Sequence, residues 1–163
     1  MFAYKNYIKH KYGHCNSTVI IFDGYKHKLS IKTQEHKRRG GGGSANVKVA
    51  RDIEVTNSCE KFLKNKNNKE GLINLLISNL SSSEVILEQS KGDADIDIVR
   101  KAISFANEGE TVEVYTEDTD ILVMLISHWK EDFANIYICI ERKKRVEYFS
   151  IGEIAKKMEY NKI

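Results

Sequence analysis

The pattern of apolar and polar positions is clearest between Gly92 and Asp120. Apolar residues recur there at three- and four-residue spacing, which predicts a helix with one apolar face. The residues of that face are Ile96, Val99, Ile103 and Ala106. Asn107-Glu108-Gly109 favours a turn and predicts the end of the helix, and residues 112–115 then predict a short strand. The stretch therefore predicts a helix followed directly by a strand.

Other segments show similar patterns along the rest of the chain. Residues 18–22 are a continuous apolar run, as expected of a strand covered on both faces, and residues 70–80 predict an amphipathic helix. Further strands are predicted at 85–87, 135–140 and 146–151, and a closing helix at 152–160. Within residues 1–18, the roughly helical spacing of Tyr4, Tyr7, Ile8 and Tyr12 predicts a short helix. The alternation of helices and strands predicts an α/β fold, with a mainly parallel central sheet and helices on both faces. A length of 163 residues favours one domain covering the whole chain.

Aspartates stand directly after two of the predicted strands and at the start of one predicted helix. Asp23 comes directly after the first strand, Asp93 and Asp95 stand at the start of the predicted helix, and Asp118 and Asp120 come just beyond the next strand. In an open α/β sheet, ligands bind at the carboxyl ends of the strands. Several carboxylates at one edge repel each other unless a cation lies among them, and their hard oxygen atoms suit Mg²⁺ or Mn²⁺. The five aspartates therefore predict a divalent-metal site.

A structural explanation competes with this metal site. An aspartate at the start of a helix is usually a cap, and an aspartate after a strand is usually a turn residue. For either pair alone this explanation is the more common one. The presence of both pairs, joined by one helix and one strand, favours the metal site.

The net charge of +3 conceals an uneven distribution. Residues 1–51 contain eleven lysines and arginines against two acids, a balance of +9, whereas the remainder contains fifteen against twenty-one, a balance of −6. A basic front and an acidic edge suit a polyanionic substrate such as nucleic acid. Candidate phosphate-binding residues are Lys32, Lys37, Arg38 and Arg39. The alternative is an exposed basic face that binds nothing.

Three further observations limit the possible classes of protein. Residues 40–44 read GGGGS, which predicts a flexible and possibly engineered linker without the features of a phosphate-binding loop. Three cysteines without a CxxC spacing suggest neither a disulfide nor a zinc site. Because the chain has no apolar run of membrane-spanning length and no signal-peptide pattern, we expect an intracellular protein, nuclear or cytoplasmic, that does not enter the membrane.

Three groups of residues together resemble one known family. VIIFDG followed by a basic segment ending in EHKRR resembles the first strand motif and basic segment of flap-endonuclease-type 5′ nucleases. GDADIDIV is similar to their acidic pair at a helix start, and TEDTDILVM to their second acidic pair. The ending VEYFSIGEIAKKM is also similar to that family, so the resemblance covers most of the chain from Val19 onward. The chain thus resembles a divergent PIN-like domain of the XPG/flap-endonuclease superfamily.

The resemblance implies a three-layer PIN-like fold and a two-metal phosphodiesterase acting on DNA or RNA, single-stranded or branched. It implies that Asp23, Asp93 and Asp95 hold one Mg²⁺ or Mn²⁺ ion and that Asp118 and Asp120 hold the other. The lysines and arginines of residues 32–39 would bind the scissile phosphate.

The family has further aspartates before the first strand motif and beyond the last helix, and this chain has none at those places. We therefore expect a domain truncated at both ends, with weak or no activity alone. A protein partner or a second copy of the chain would supply a missing strand.

Two other functions fit part of the pattern. The first is a PIN-like scaffold that binds nucleic acid or a protein without cleaving. The second is a phosphotransferase of the haloacid-dehalogenase type, because EDTDILVM also resembles the Asp-x-Asp nucleophile motif of that superfamily. There the motif comes early in the chain, whereas only forty-three residues follow Asp120 here. A fluoride complex of aluminium or beryllium trapped at Asp118 would distinguish it from a nuclease.

Overall fold

The computed structural model of the chain describes residues 2–24, 45–50, 58–82, 84–143 and 145–160. It divides into two compact units, Met1–Gly92 and Asp93–Ile163. Helices and strands both occur in each unit, which confirms the prediction of a mixed α/β chain. That the whole chain forms one domain stays a prediction. The predicted phosphate-binding residues of 32–39 and the linker at 40–44 lie outside the described residues.

The first unit contains three helices and a pair of strands within its described residues. The elements are α1 (Phe2–Tyr12), β1 (Thr18–Phe22), α2 (Cys59–Lys64), α3 (Lys66–Leu80) and β2 (Val85–Gln89). The strands β1 and β2 pair in parallel, with Thr18 opposite Val85 and Phe22 opposite Gln89. Helix α3 packs against β2. The first strand is thus paired to a strand more than sixty residues further along the chain.

Two asparagines organise the start of α3. The side chain of Asn65 accepts hydrogen bonds from the backbone N–H groups of Asn67 and Asn68, at 2.9 and 3.3 Å, and so caps the helix. Asn68 is fully buried; its Oδ1 accepts a 2.7 Å bond from Val47 N, and its Nδ2 donates to Ala45 O at 3.1 Å. Residues 66–69 are therefore the first turn of α3, and Asn68 fixes the extended segment before it.

The second unit is a three-stranded sheet with three described helices. The elements are α4 (Ala94–Asn107), β3 (Val112–Tyr115), α5 (Thr119–His128), β4 (Ile136–Arg142), β5 (Arg145–Ser150) and α6 (Ile151–Tyr160). The strand order is β3-β4-β5, with β3 parallel and β5 antiparallel to β4. The sequence predicted α4, β3, β4, β5 and α6. Among the described residues the five strands form two sheets, β1-β2 and β3-β4-β5.

One apolar core holds the second unit together. It joins one face of the sheet to residues of all three helices: Val99, Ala102, Ala106, Val114, Ile121, Leu125, Ile136, Ile138 and Ile151. Leu125 and Ile151 are completely buried, and Val99 and Ala106 belong to the apolar face predicted for α4. Because residues of a strand alternate between the two faces, Glu113 and Tyr115 lie on the face of β3 opposite this core. Among the described residues, no helix is long and apolar enough to span a membrane.

Candidate metal centre

Each of the two acidic pairs of the second unit stands at the start of its own helix. Asp93 precedes α4, and its Oδ1 accepts a 3.1 Å hydrogen bond from Asp95 N. Asp118 precedes α5, and its Oδ1 accepts a 2.8 Å hydrogen bond from Asp120 N. In each Asp-x-Asp sequence, the first aspartate is therefore the N-cap and the second lies in the first turn. The helix cap that the sequence offered as the structural explanation is confirmed for Asp93, whereas Asp118, for which it offered a turn residue, is also a helix cap.

Capping leaves these carboxylates able to bind a cation. An ionised carboxylate has two oxygens and about four acceptor sites, and the cap uses Oδ1. Asp93, Asp118 and Asp120 are exposed, and Asp95 is half-buried. The positive end of each helix dipole offsets part of the repulsion within each pair.

Thr116 holds the second pair in place, and sequence reasoning missed it. Its Oγ1 accepts a 3.0 Å hydrogen bond from Asp118 N, and its own backbone N–H donates to Cys139 O at 3.3 Å. Thr116 thereby ties the start of α5 to the carboxyl end of β3 and to β4. The signal in the sequence was a threonine two residues before the capping aspartate, a common arrangement in turns.

The two pairs belong to the same edge of the sheet. Ala134 N donates to Ala106 O at 3.0 Å, so the last turn of α4 lies next to the residues that precede β4. Val112 N donates to Asn135 O at 2.9 Å, so β3 begins there too. The last turn of α4 therefore lies at the amino ends of these strands. Helix α4 packs along β3 into the common core, so its start is directed toward the carboxyl end of that strand. Helix α5 begins three residues beyond β3, at that carboxyl end.

The four carboxylates nevertheless do not converge on one point. Among the described residues of the second unit, no three acidic side chains bring their oxygen atoms within 4.8 Å of one another. A metal ion bound by both pairs would therefore require side-chain rotation. The distance between carboxylates at helix starts is set by rotamers and by helix packing, neither of which the sequence pattern fixes.

Asp23 lies in the first unit, directly after β1. It is exposed, and its carbonyl oxygen accepts a 3.4 Å hydrogen bond from Gln89 Nε2. Gly24 follows it, and a Cβ atom there would overlap the carbonyl oxygen of Ser90. The residue after Asp23 must therefore be glycine for the ends of β1 and β2 to come this close. Its predicted place at the carboxyl end of a strand is confirmed; its role as a metal ligand stays a prediction.

A tyrosine and a glutamate pair on the sheet face opposite the core. Tyr115 Oη donates a 2.9 Å hydrogen bond to Glu113 Oε2. Burial, followed by the hydrogen bonds with Glu113 and Tyr148, raises the pKa of Tyr115 well above its usual range. The Tyr115 hydroxyl therefore stays protonated at neutral pH and acts as a hydrogen-bond donor.

Comparison of the chain with protein-family models, with curated proteins and with solved structures finds no significant match. The assignment of a function therefore depends on the residues and geometry described above.

Proposed function

We propose that this chain is a divalent-metal-dependent phosphodiesterase domain that acts on nucleic acid, with the PIN-like architecture that its motifs resemble. The observation that supports the proposal is the occurrence of two Asp-x-Asp helix starts in the second unit, both directed to the carboxyl end of β3. The mainly parallel sheet with helices on both faces belongs to the same proposal, and each unit contributes one parallel pair of strands.

The proposed chemistry follows from two features of the chain. It has hard oxygen ligands, and its residues 1–51 carry a net positive charge. Mg²⁺ and Mn²⁺ bind carboxylates and retain water, and a metal-bound water is a better nucleophile because the ion lowers its pKa. In the proposed site Asp93 and Asp95 would hold one ion, while Asp118 and Asp120 would hold the other. Two ions about 3.5–4 Å apart would stabilise both the attacking and the leaving oxygen of a phosphodiester.

A second candidate is a PIN-like scaffold that binds nucleic acid or a protein without cleaving it. The lack of any three converging acidic side chains among the described residues of the second unit favours this candidate, because catalysis by two metals requires ligands that hold both ions at a fixed spacing. The two candidates differ in whether bound metal produces cleavage, and both require the acidic residues to be accessible.

Metal binding is tested by thermal unfolding in EDTA and in increasing Mn²⁺, with Mn²⁺ electron paramagnetic resonance as a direct measure of binding. Asp93→Asn and Asp118→Asn remove one charge each, and asparagine caps a helix about as well as aspartate. We expect both variants to be at least as stable as the parent in EDTA and to lose the Mn²⁺-dependent rise in Tm. A ligand at one hundred times its Kd stabilises by about 2.7 kcal/mol, so the loss is measurable.

Asp132→Asn is the matched control. Asp132 is exposed in the turn between α5 and β4, away from both helix starts along the chain. The control should keep the full Mn²⁺ response of the parent. A Tm that responds equally to Mn²⁺ in the parent, in Asp93→Asn and in Asp118→Asn would refute the metal site.

A further inference from the structure

The hairpin that joins β4 to β5 carries a run of basic residues. Residues 142–145 read RKKR. Arg142 and Arg145 are the last pair of the ladder between the two strands, so the chain turns within the two residues between them. Arg142, Lys143 and Arg145 are exposed, and Lys144 lies outside the described residues. We call the three described residues, Arg142, Lys143 and Arg145, the basic tip.

Two features of the basic tip oppose the stability of the hairpin. Arg142 and Arg145 stand directly opposite each other, and like charges at opposite positions of an antiparallel pair destabilise it. Lys143 has a φ of 54°, in the left-handed region, where a two-residue hairpin turn prefers asparagine or glycine. An exposed ion pair offsets part of the charge, since Arg142 Nε lies 3.5 Å from Glu147 Oε2. The stability of the hairpin therefore does not explain the residues at its tip.

The pairing of the strands places the basic tip at the carboxyl edge of the sheet. Strand β3 ends at Tyr115, which lies opposite Cys139, and Thr116 N donates to Cys139 O at 3.3 Å. Strand β4 is parallel to β3 and continues three residues past Cys139 to Arg142, which is about 10 Å at the rise of a β-strand. The basic tip therefore projects beyond the carboxyl end of β3, at the edge where α5 begins.

The two arginines also lie on the face of the sheet that packs against the helices. Because side chains alternate along a strand, Arg142 shares a face of β4 with Ile138 of the apolar core. Arg145 lies on the same face, since it stands opposite Arg142. Helix α5, which Asp118 caps, packs into that core. The two arginines and the start of α5 thus share both a face and an edge of the sheet.

We propose that the basic tip binds the phosphate backbone of a nucleic acid and holds it next to the start of α5. A guanidinium group binds phosphate through two parallel hydrogen bonds, and a lysine ammonium adds a compact charge. A polyanion with regularly spaced phosphates contacts several cations at once and releases its counterions on binding. The proposal rests on the proposed function in one respect: the bound strand is the substrate of the carboxylate site. Binding itself requires no metal ion.

The test measures fluorescence anisotropy of a labelled single-stranded oligonucleotide and of its duplex in EDTA, which removes metal ions and prevents cleavage. Lys143→Asn and Arg145→Gln each remove one phosphate contact. Each should therefore reduce the slope of log K against log salt by about 0.7 for the single strand and about 0.9 for the duplex. At about 0.1 M salt, a slope change of about 0.7 corresponds to about fivefold weaker binding.

The stability of the same variants separates binding from a structural role. Asparagine adopts the left-handed region more readily than lysine, and Arg145→Gln removes the repulsion with Arg142. We therefore expect neither variant to have a lower Tm than the parent in EDTA, although both bind the oligonucleotide more weakly. A lower Tm with unchanged affinity would show that the basic tip only offsets the charge of the acidic edge, and would overturn the proposal.

Lys130→Asn is the matched control, because it removes one charge by the same substitution. Lys130 is exposed in the connection that precedes β4, at the amino ends of the strands. This variant should keep the affinity and the salt slope of the parent. Equal losses of affinity in Lys130→Asn and Lys143→Asn would show an effect of net charge alone and overturn the proposal. Unchanged affinity and slope in both tip variants would overturn it as well.

Asp118→Asn tests the position of the bound backbone. In EDTA the Asp118 carboxylate repels a phosphate held nearby, so its removal should tighten binding more than Asp132→Asn does. Equal affinities of these two variants would place the backbone away from α5 and overturn that part of the proposal.

The response to Mn²⁺ separates this inference from the proposed function. If the tip variants lose affinity while Mn²⁺ does not stabilise the parent, the proposed function fails and the binding surface stands. If Mn²⁺ stabilises the parent while the tip variants bind like the parent, the reverse holds.

Discussion

At the residue scale, Asn68 is a single side chain that holds a separate segment of backbone through two hydrogen bonds. It has no exposed surface, and both ends of its amide bond to the backbone of residues 45 and 47. We expect Asn68→Ala to lower the free energy of unfolding by about 2–4 kcal/mol, since each buried polar group left without a partner costs about 1–3 kcal/mol. Urea or thermal unfolding measures the change.

Neighbouring asparagines give the control for this prediction. Asn67 is exposed, and its Nδ2 donates to Asn46 Oδ1 at 3.2 Å, so Asn67→Ala should change stability by about 0.5 kcal/mol or less. Asn68→Asp keeps the acceptor for Val47 N and removes the donor to Ala45 O, and should therefore also destabilise. Equal stability of the Asn68 and Asn67 alanine variants would show that Asn68 does not anchor the segment.

At the scale of elements, the aspartates at the starts of α4 and α5 cap their helices and, in the proposed function, bind a metal ion. Different substitutions can separate these two roles. Asp118→Ala removes both the cap and the charge, and should cost about 0.5–2 kcal/mol of stability in EDTA. Asp118→Asn removes only the charge and should cost nothing there, although it abolishes the response to Mn²⁺. If Asp118→Ala and Asp118→Asn have the same Tm in EDTA, the hydrogen bond to Asp120 N contributes no stability.

At the scale of the whole molecule, the prediction concerns cleavage. Two-metal catalysis depends on an ordered set of ligands, and among the described residues of the second unit no three acidic side chains bring their oxygen atoms together. We expect little or no cleavage of end-labelled single-stranded and flap substrates in Mg²⁺, and some in Mn²⁺, which accepts a looser ligand shell. An Asp93→Asn/Asp118→Asn double variant is the control for contaminating nuclease. Rapid turnover in Mg²⁺ that this double variant lacks would show that the ligands present are sufficient.

Several parts of the fold could be predicted because they depend on neighbouring residues. The apolar spacing from Ile96 to Ala106 predicts α4, and Asp93 before it predicts the cap, since the cap bond joins residues only two positions apart. The helix predicted at 70–80 begins one turn earlier, at Lys66, because Asn65 caps it there. Local chemistry thus determined most elements and the position of each aspartate within its element.

Tertiary structure decided which elements meet. The parallel pairing of β1 with β2 joins residues 67 positions apart, and the burial of Asn68 depends on a segment more than twenty positions before it. The arrangement of the acidic pairs depends on how α4 and α5 pack, and the place of the basic tip at the carboxyl edge depends on the pairing of β4 with β3. The sequence by itself determined the residue types, the helices and strands, and the caps, because these follow from short-range spacing. The tertiary structure alone decided strand pairing, side-chain exposure and which carboxylates come together, because these follow from packing between distant parts of the chain.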